Sequence, residues 1–176
     1  MHFSLLVVSQ ERPTEEILAK MLAPFSENND EVANENQHWD WYQIGGRWTG
    51  YLDGYNPDED PANIEVCYLC DGTGKRNDEL GHRTRAEDPT YTCNGCQGKG
   101  KHVSWPTQWA SHNGDSLQVK NLPNTPKPTF ALLQDGHWLG KDWNGADDDP
   151  KWHKQFNEIF ALLTPNTWVT IVDCHT

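Results

Sequence analysis

The chain has 176 residues, enough for one packed domain plus a small module, and carries 14 Lys and Arg against 26 Asp and Glu, a net charge of −12. That balance excludes a general duplex-binding face, because neutralising phosphates requires a basic surface. No apolar run reaches the 18 residues of a membrane-spanning helix, so no membrane partner is expected.

The N-terminal stretch HFSLLVVS is a continuous apolar run of strand length, suited to a central strand covered on both faces. It has neither a basic leader nor a small-residue cleavage site, so it reads as structure and not as a signal peptide. A cytoplasmic, reducing compartment is therefore expected, in which paired cysteines serve as metal ligands in preference to disulfides. PTEEILAKML predicts a short helix with Thr14 as N-cap and Glu15 and Glu16 in the first turn, where the helix dipole favours acids. SENNDEVANENQ is polar and reads as a loop. WDWYQIGGRWTGYL reads as two aromatic strands around a Gly45-Gly46 hairpin turn, and DGYNPDEDPAN as a second acidic loop.

Between residues 67 and 102 the charge changes. Residues 24–66 hold ten acids and one base, Arg47, whereas 67–102 hold six bases against five acids. This segment writes one phrase twice, CYLCDGTG and CNGCQGKG, both CxxCxGxG. Cys67, Cys70, Cys93 and Cys96 follow the spacing C-x2-C-x22-C-x2-C, in which each tight turn supplies two thiolates and two turns complete a tetrahedral shell. Glycine after each second Cys lets the backbone fold round the sulfurs. Zn2+ is the expected ion, matched to thiolates and redox-silent. His82 and His102 flank the pairs as alternative ligands.

Beyond the module, SWPTQWASHNGDS shows no clear period, and TFALLQDGHWLG is a hairpin turning at Asp135-Gly136. DDDPKWHKQFNEIFALL is the strongest helix, with an acidic start, Asp149 as N-cap and Pro150 at the first position. Trp152, Phe156, Ile159, Phe160 and Leu163 form its apolar face. TWVTIVDCHT closes the chain as a β-branched strand. The elements predict an α+β fold: a largely antiparallel sheet with two helices on one face, ferredoxin-like in arrangement, formed by residues 1–66 and 103–176. Residues 67–102 are inserted in it as a four-Cys zinc module.

The two Cys phrases resemble the CxxCxGxG repeats of the DnaJ-type cysteine-rich zinc module. That family carries four repeats and two zinc sites; two repeats imply one site here, and no His-Pro-Asp tripeptide or J-domain helices accompany them. The resemblance implies zinc binding, not chaperone activity. WDWYQIGGRWTGYL, the Cys repeats, SWPTQW and TWVTIVDCHT together are similar to a family of uncharacterised bacteriophage and bacterial proteins, which implies a phage-encoded origin and the host cytoplasm.

Two further groups carry candidate chemistry. In VDCHT, Asp173 and His175 share one strand face and Cys174 takes the other. An antiparallel pairing with the first strand would bring His2 to them, assembling residue types that bind metals or move protons. Arg47, set among Trp41, Tyr42 and Trp48, is suited to hold a phosphate while a ring stacks beside it. Neither GxxxxGK[ST] nor GxGxxG accompanies it. Three functions follow. The first is a zinc-stabilised binding protein offering an acidic aromatic surface to a protein partner or small ligand, with interference in a host system as its use. The second is an enzyme acting on a nucleotide or other phosphorylated small molecule, with Asp173 and His175 as catalytic residues. The third is nucleic-acid binding through the zinc module, with Lys99 and Lys101 as contacts.

Overall fold

A computed structural model describes residues 1–29, 31, 33–141 and 149–176. Asp30 and Val32 of the expected first loop, and Asp147 and Asp148 of the expected acidic helix start, lie outside the described residues. The chain divides into two compact units, Met1–Tyr55 with Ala110–Thr176, and Asn56–Trp109. The second unit extends beyond 67–102 on both sides.

The first unit is α+β. Its sheet contains β1 (His2–Ser9), β2 (Trp41–Ile44), β5 (Ser116–Gln118), β6 (Ala131–Gln134), β7 (His137–Gly140) and β8 (Trp168–His175). The order is β2-β8-β1-β6-β7, with β5 lying beyond β2 along the same edge of β8. Within this sheet only β1 and β6 run parallel; the other pairs are antiparallel. In a ferredoxin-like order the second hairpin strand would lie beside β1. Here the first, β6, takes that place and β7 falls at the edge.

β1 and β8 are apolar on both faces, so the sheet needs cover on both, and each face receives one helix instead of both helices lying on the same side. Leu5, Val7, Ala131, Leu133, Val172 and Cys174 pack with Leu18 and Leu22 of α1 (Glu15–Leu22). Their alternates Leu6, Val8, Leu132, Val169 and Ile171 pack with Trp152, Phe156 and Phe160 of the C-terminal helix, α3 (Pro150–Ala161). Burying these two stripes is what holds the three layers together. Phe156 is fully buried, and trimming it to Ala would cost about 3–5 kcal/mol.

The expected caps form. Thr14 Oγ1 accepts the Ile17 N–H at 3.3 Å, and Asp149 Oδ1 accepts from Lys151 and Trp152 at 3.0 and 3.1 Å. Asp135 and Gly136 both take positive φ, 51° and 75°, as a two-residue hairpin between β6 and β7 requires.

The Gly45-Gly46 hairpin does not form. β2 is a strand, but the chain then enters a 3-10 turn, Gly46–Trp48, and β2 pairs with β8. The cause lies in two carboxylates distant in the chain, Asp115 and Asp173, which bond to this turn.

The second unit holds β3 (Ile64–Val66) and β4 (Lys101–Val103), paired antiparallel at the base of the Cys motifs. Between the motifs runs α2 (Glu79–Glu87), capped by Asp78, whose Oδ1 accepts the Gly81 N–H at 2.9 Å. The Arg76 guanidinium, bonded to the Asp78 carboxylate, holds its pKa down to about 2.

Candidate metal centre and candidate ligand site

The Cys motifs close on each other with near twofold symmetry. The Cys67 N–H donates to Gly100 O at 2.9 Å, and the Cys93 N–H donates to Gly74 O at 2.8 Å. Asp71 and Gln97, directly after the second Cys of each pair, have φ of 48° and 52°; Gly72 and Gly98 have 81° and 82°. A Cβ on Gly74 would strike the Gly98 carbonyl, and one on Gly100 would strike that of Gly72. The repeated phrase therefore encodes two halves that each fill a gap left by the other.

All four thiols are buried, and their sulfurs lie within 4.8 Å of one another. Cys67 Sγ to Cys93 Sγ is 3.8 Å and Cys70 Sγ to Cys96 Sγ is 3.7 Å. A tetrahedral ion with metal–sulfur bonds of about 2.3 Å has edges of about 3.8 Å, so the donor set fits a thiolate-binding metal ion. The Gly100 N–H points at Cys96 Sγ from 3.2 Å, a contact that stabilises a thiolate. Among the described residues this is the one group of three or more His, Cys, Asp or Glu side chains whose donor atoms converge so closely.

A different group forms where β1, β8 and β2 end together. The register places His2 opposite His175, Ser4 opposite Asp173, Trp41 opposite His175 and Gln43 opposite Asp173. His2, Asp173 and His175 thus share the α3 side of the sheet. The Asp173 carboxylate is 1% exposed: Oδ1 lies 2.8 Å from His2 Nδ1, and Oδ2 accepts the Arg47 N–H at 3.0 Å. His175 Nδ1 lies 2.8 Å from Asp40 Oδ1, and its Nε2 is 3.3 Å from the Met1 amine. The two imidazoles meet edge to face with centroids 5.0 Å apart, and Trp41 stands edge-on to His2 at 5.8 Å. Each histidine therefore has its Nδ1 tied to a carboxylate.

Of the expected ligand-holding residues, Trp41 joins this group through its ring and Arg47 through its backbone N–H; both side chains are exposed. Tyr42 does not. It lies on the α1 side, edge-on to Trp39 at 5.0 Å, and borders a cavity of about 210 Å³ with Glu15, Gln43 and Ile44. Trp48 packs into the α3-side core instead. Cys174 points into the α1-side core, where burial, aided by the neighbouring Asp173 charge, pushes its thiol up and leaves it inert.

Sequence reasoning missed a second buried carboxylate. Asp115 is fully buried; its Oδ1 accepts the Gly50 N–H at 3.0 Å and its Oδ2 the Thr49 hydroxyl at 3.1 Å. With Asp173 it clamps the 45–50 turn from two sides. A Cβ on Gly46 would come within 2.6 Å of the Asp173 carboxylate, and one on Gly45 would strike Asp115. The paired glycines exist to let these carboxylates approach the backbone. Burial pushes the Asp115 pKa up, against the Gly50 and Thr49 hydrogen bonds. Next to it, His112 Nε2 lies 2.6 Å from Asp53 Oδ2 and stacks on Tyr55 at 4.1 Å. The NGD phrase that carries Asp115 looks like an ordinary turn, and no local signal in it announces burial.

No helix among the described residues is long and apolar enough to cross a membrane. No protein-family model matches the chain, and neither the curated proteins nor the solved structures provide a match.

Proposed function

We propose that the protein binds a small phosphorylated ligand at the sheet end, on the surface formed by His2, Arg47, Trp41 and His175, and that Cys67, Cys70, Cys93 and Cys96 hold a structural Zn2+ in a separate clip. The observation that supports the reading is that the Arg47 backbone N–H sits on Asp173, whose side chain shares a sheet face with His175. The exposed Arg47 side chain, carried by the turn whose N–H meets Asp173, would supply charge for a phosphate, and the imidazoles and the Trp41 indole would supply donors and an aromatic surface for a base. The closed four-sulfur shell supports a structural part for the metal, because it leaves no open coordination position for chemistry.

The test is a titration of the zinc-loaded chain with adenosine 3′-monophosphate, followed by backbone amide shifts. Shifts confined to residues 1–4, 40–47 and 173–176, and lost in Arg47→Ala, support the reading. Saturable binding elsewhere, or none at millimolar ligand, overturns it.

Recognition of a basic protein partner is the second reading. It is favoured by the net charge of −12 and by Tyr68 and Trp105, 78% and 70% exposed, in the Asn56–Trp109 unit. Such a partner fits a phage-encoded protein acting in a host cytoplasm, and its capture would weaken steeply with added salt.

A further inference from the structure

The ribbon formed by β3 and β4 has a bare edge. The Cys67 N–H donates to Gly100 O at 2.9 Å, and the Ser104 N–H donates to Asn63 O at 2.8 Å. With the antiparallel register, these bonds make Cys67 with Gly100, Glu65 with His102 and Asn63 with Ser104 the bonded pairs of the ladder. Lys101 and Val103 fall at the positions between them, so their backbone N–H and C=O groups turn away from β3. No hydrogen bond outside the ladder reaches either backbone, and no third strand joins the ribbon, among the described residues.

A cleft of about 380 Å³ borders this edge, lined in part by Ile64, Lys99, Lys101 and Val103. Ile64 lies opposite Val103 and Val66 opposite Lys101, so the four share one face of the ribbon. That face sets an apolar floor next to a cation. Lys99 and Lys101 are both exposed, and neither ammonium has an ion-pair partner among the described residues.

We propose that this edge and its cleft take an extended segment of a protein partner as an added strand, with an acidic side chain on Lys101 and an apolar one on Val103. A strand laid along β4 would bond to the outward groups of Lys101 and Val103. It would place every second side chain on the face that those two residues share. The site therefore reads an acid and an apolar residue two positions apart, and its two ammoniums oppose a basic segment. A DNA single strand would engage the lysines but not the edge, because a phosphodiester offers no N–H to the two carbonyls. Asp58, on the cleft wall, opposes a run of phosphates. All of these residues belong to the Asn56–Trp109 unit, so the site stands apart from the sheet-end ligand surface.

The experiment titrates the full zinc-loaded, isotope-labelled chain with the peptide acetyl-Thr-Glu-Thr-Val-Thr-amide and follows amide shifts and amide hydrogen exchange. The Lys101 and Val103 amides are expected to shift, saturate and exchange more slowly, while those of β1 and β8 stay fixed. Lys101→Glu should weaken binding roughly tenfold, and so should a peptide with Lys in place of Glu. Val103→Pro removes an outward N–H and leaves the ladder intact, so it should weaken binding while the shifts of residues 67–100 hold. The proposal is overturned by absence of saturable binding at millimolar peptide, or by binding that leaves exchange at Lys101 and Val103 unchanged. Binding indifferent to both substitutions, or tighter binding of a thymidine oligonucleotide at the same residues, overturns it as well.

Discussion

His2 Nδ1 and Asp173 Oδ1 meet at 2.8 Å across the β1–β8 pair, while the other oxygen of that carboxylate receives the Arg47 N–H at 3.0 Å. One buried side chain thus orients an imidazole and holds the turn that carries the guanidinium. Asp173→Ala leaves a part-buried N–H without its acceptor and should cost about 1–3 kcal/mol. Asp173→Asn retains an acceptor for Arg47 and should recover most of that loss, while its amide N–H changes the tautomer of His2. Urea unfolding of the two variants checks the first statement, and the nitrogen shifts of the His2 ring check the second.

Gly46 is fixed by the same carboxylate. Its φ is 54°, and an added Cβ would lie 2.6 Å from Asp173 Oδ2. Gly54 also has positive φ, 81°, but an added Cβ would meet nothing within 4 Å. Gly54→Ala should therefore cost only the backbone penalty, about 1 kcal/mol, and Gly46→Ala about 2 kcal/mol or more. Equal costs in thermal unfolding would contradict the packing role given to Gly46.

The metal clip predicts a local response. Chelation, or Cys93→Ser, should unfold the Asn56–Trp109 unit while amide signals of the sheet persist, because the sheet unit has its own core. Metal analysis should return one Zn2+ per chain in wild type and in Cys174→Ser, since Cys174 belongs to the sheet core. Retained amide dispersion for residues 67–100 after chelation would count against a structural ion.

Asp115 gives a pH dependence of defined sign. Its folded pKa is raised by burial, so the folded chain takes up this proton at higher pH than the unfolded chain does. Its contribution to stability is complete below the ordinary carboxylate value and is lost as pH rises through the folded value. Asp115→Asn can still accept the Gly50 N–H and donate to Thr49 without a buried charge. The variant should be more stable than wild type at pH 7, and the difference should shrink as pH falls through the raised folded value and be gone below about 4. Amide-resolved unfolding of the sheet unit measures this apart from acid protonation of the four-Cys cluster.

Much of this architecture is legible in the sequence, and the reason is locality. β1, α3 and β8 announce themselves by unbroken or periodic apolar residues. Thr14, Asp149 and Asp135-Gly136 act within three or four residues of themselves. The Cys quartet is legible because each motif is recognisably half of something. The double cover of the sheet follows from β1 and β8 being apolar on both faces, although placing the helices on one face overlooked this. Gly45-Gly46 misleads as a hairpin because the groups that demand two glycines, Asp115 and Asp173, come 65 or more residues later. α2 escapes notice because only Gly81 is buried along it, so it has no apolar period to read. Of the aromatic cluster around Arg47, strand alternation sends Tyr42 to one face of the sheet and Trp41 to the other, a separation fixed only once β2 pairs with β8.

The central claim is that the sheet-end histidines form a phosphate-binding site, and the imidazole nitrogens report on it directly. A long-range proton–nitrogen spectrum of the histidines, recorded as adenosine 3′-monophosphate is added, separates His2 and His175 from His112, which meets a carboxylate through Nε2 in a turn. The Nε2 signals of His2 and His175 are predicted to move together and saturate while those of His112 stay fixed. Static His2 and His175 signals, or equal movement of all three, would contradict the claim.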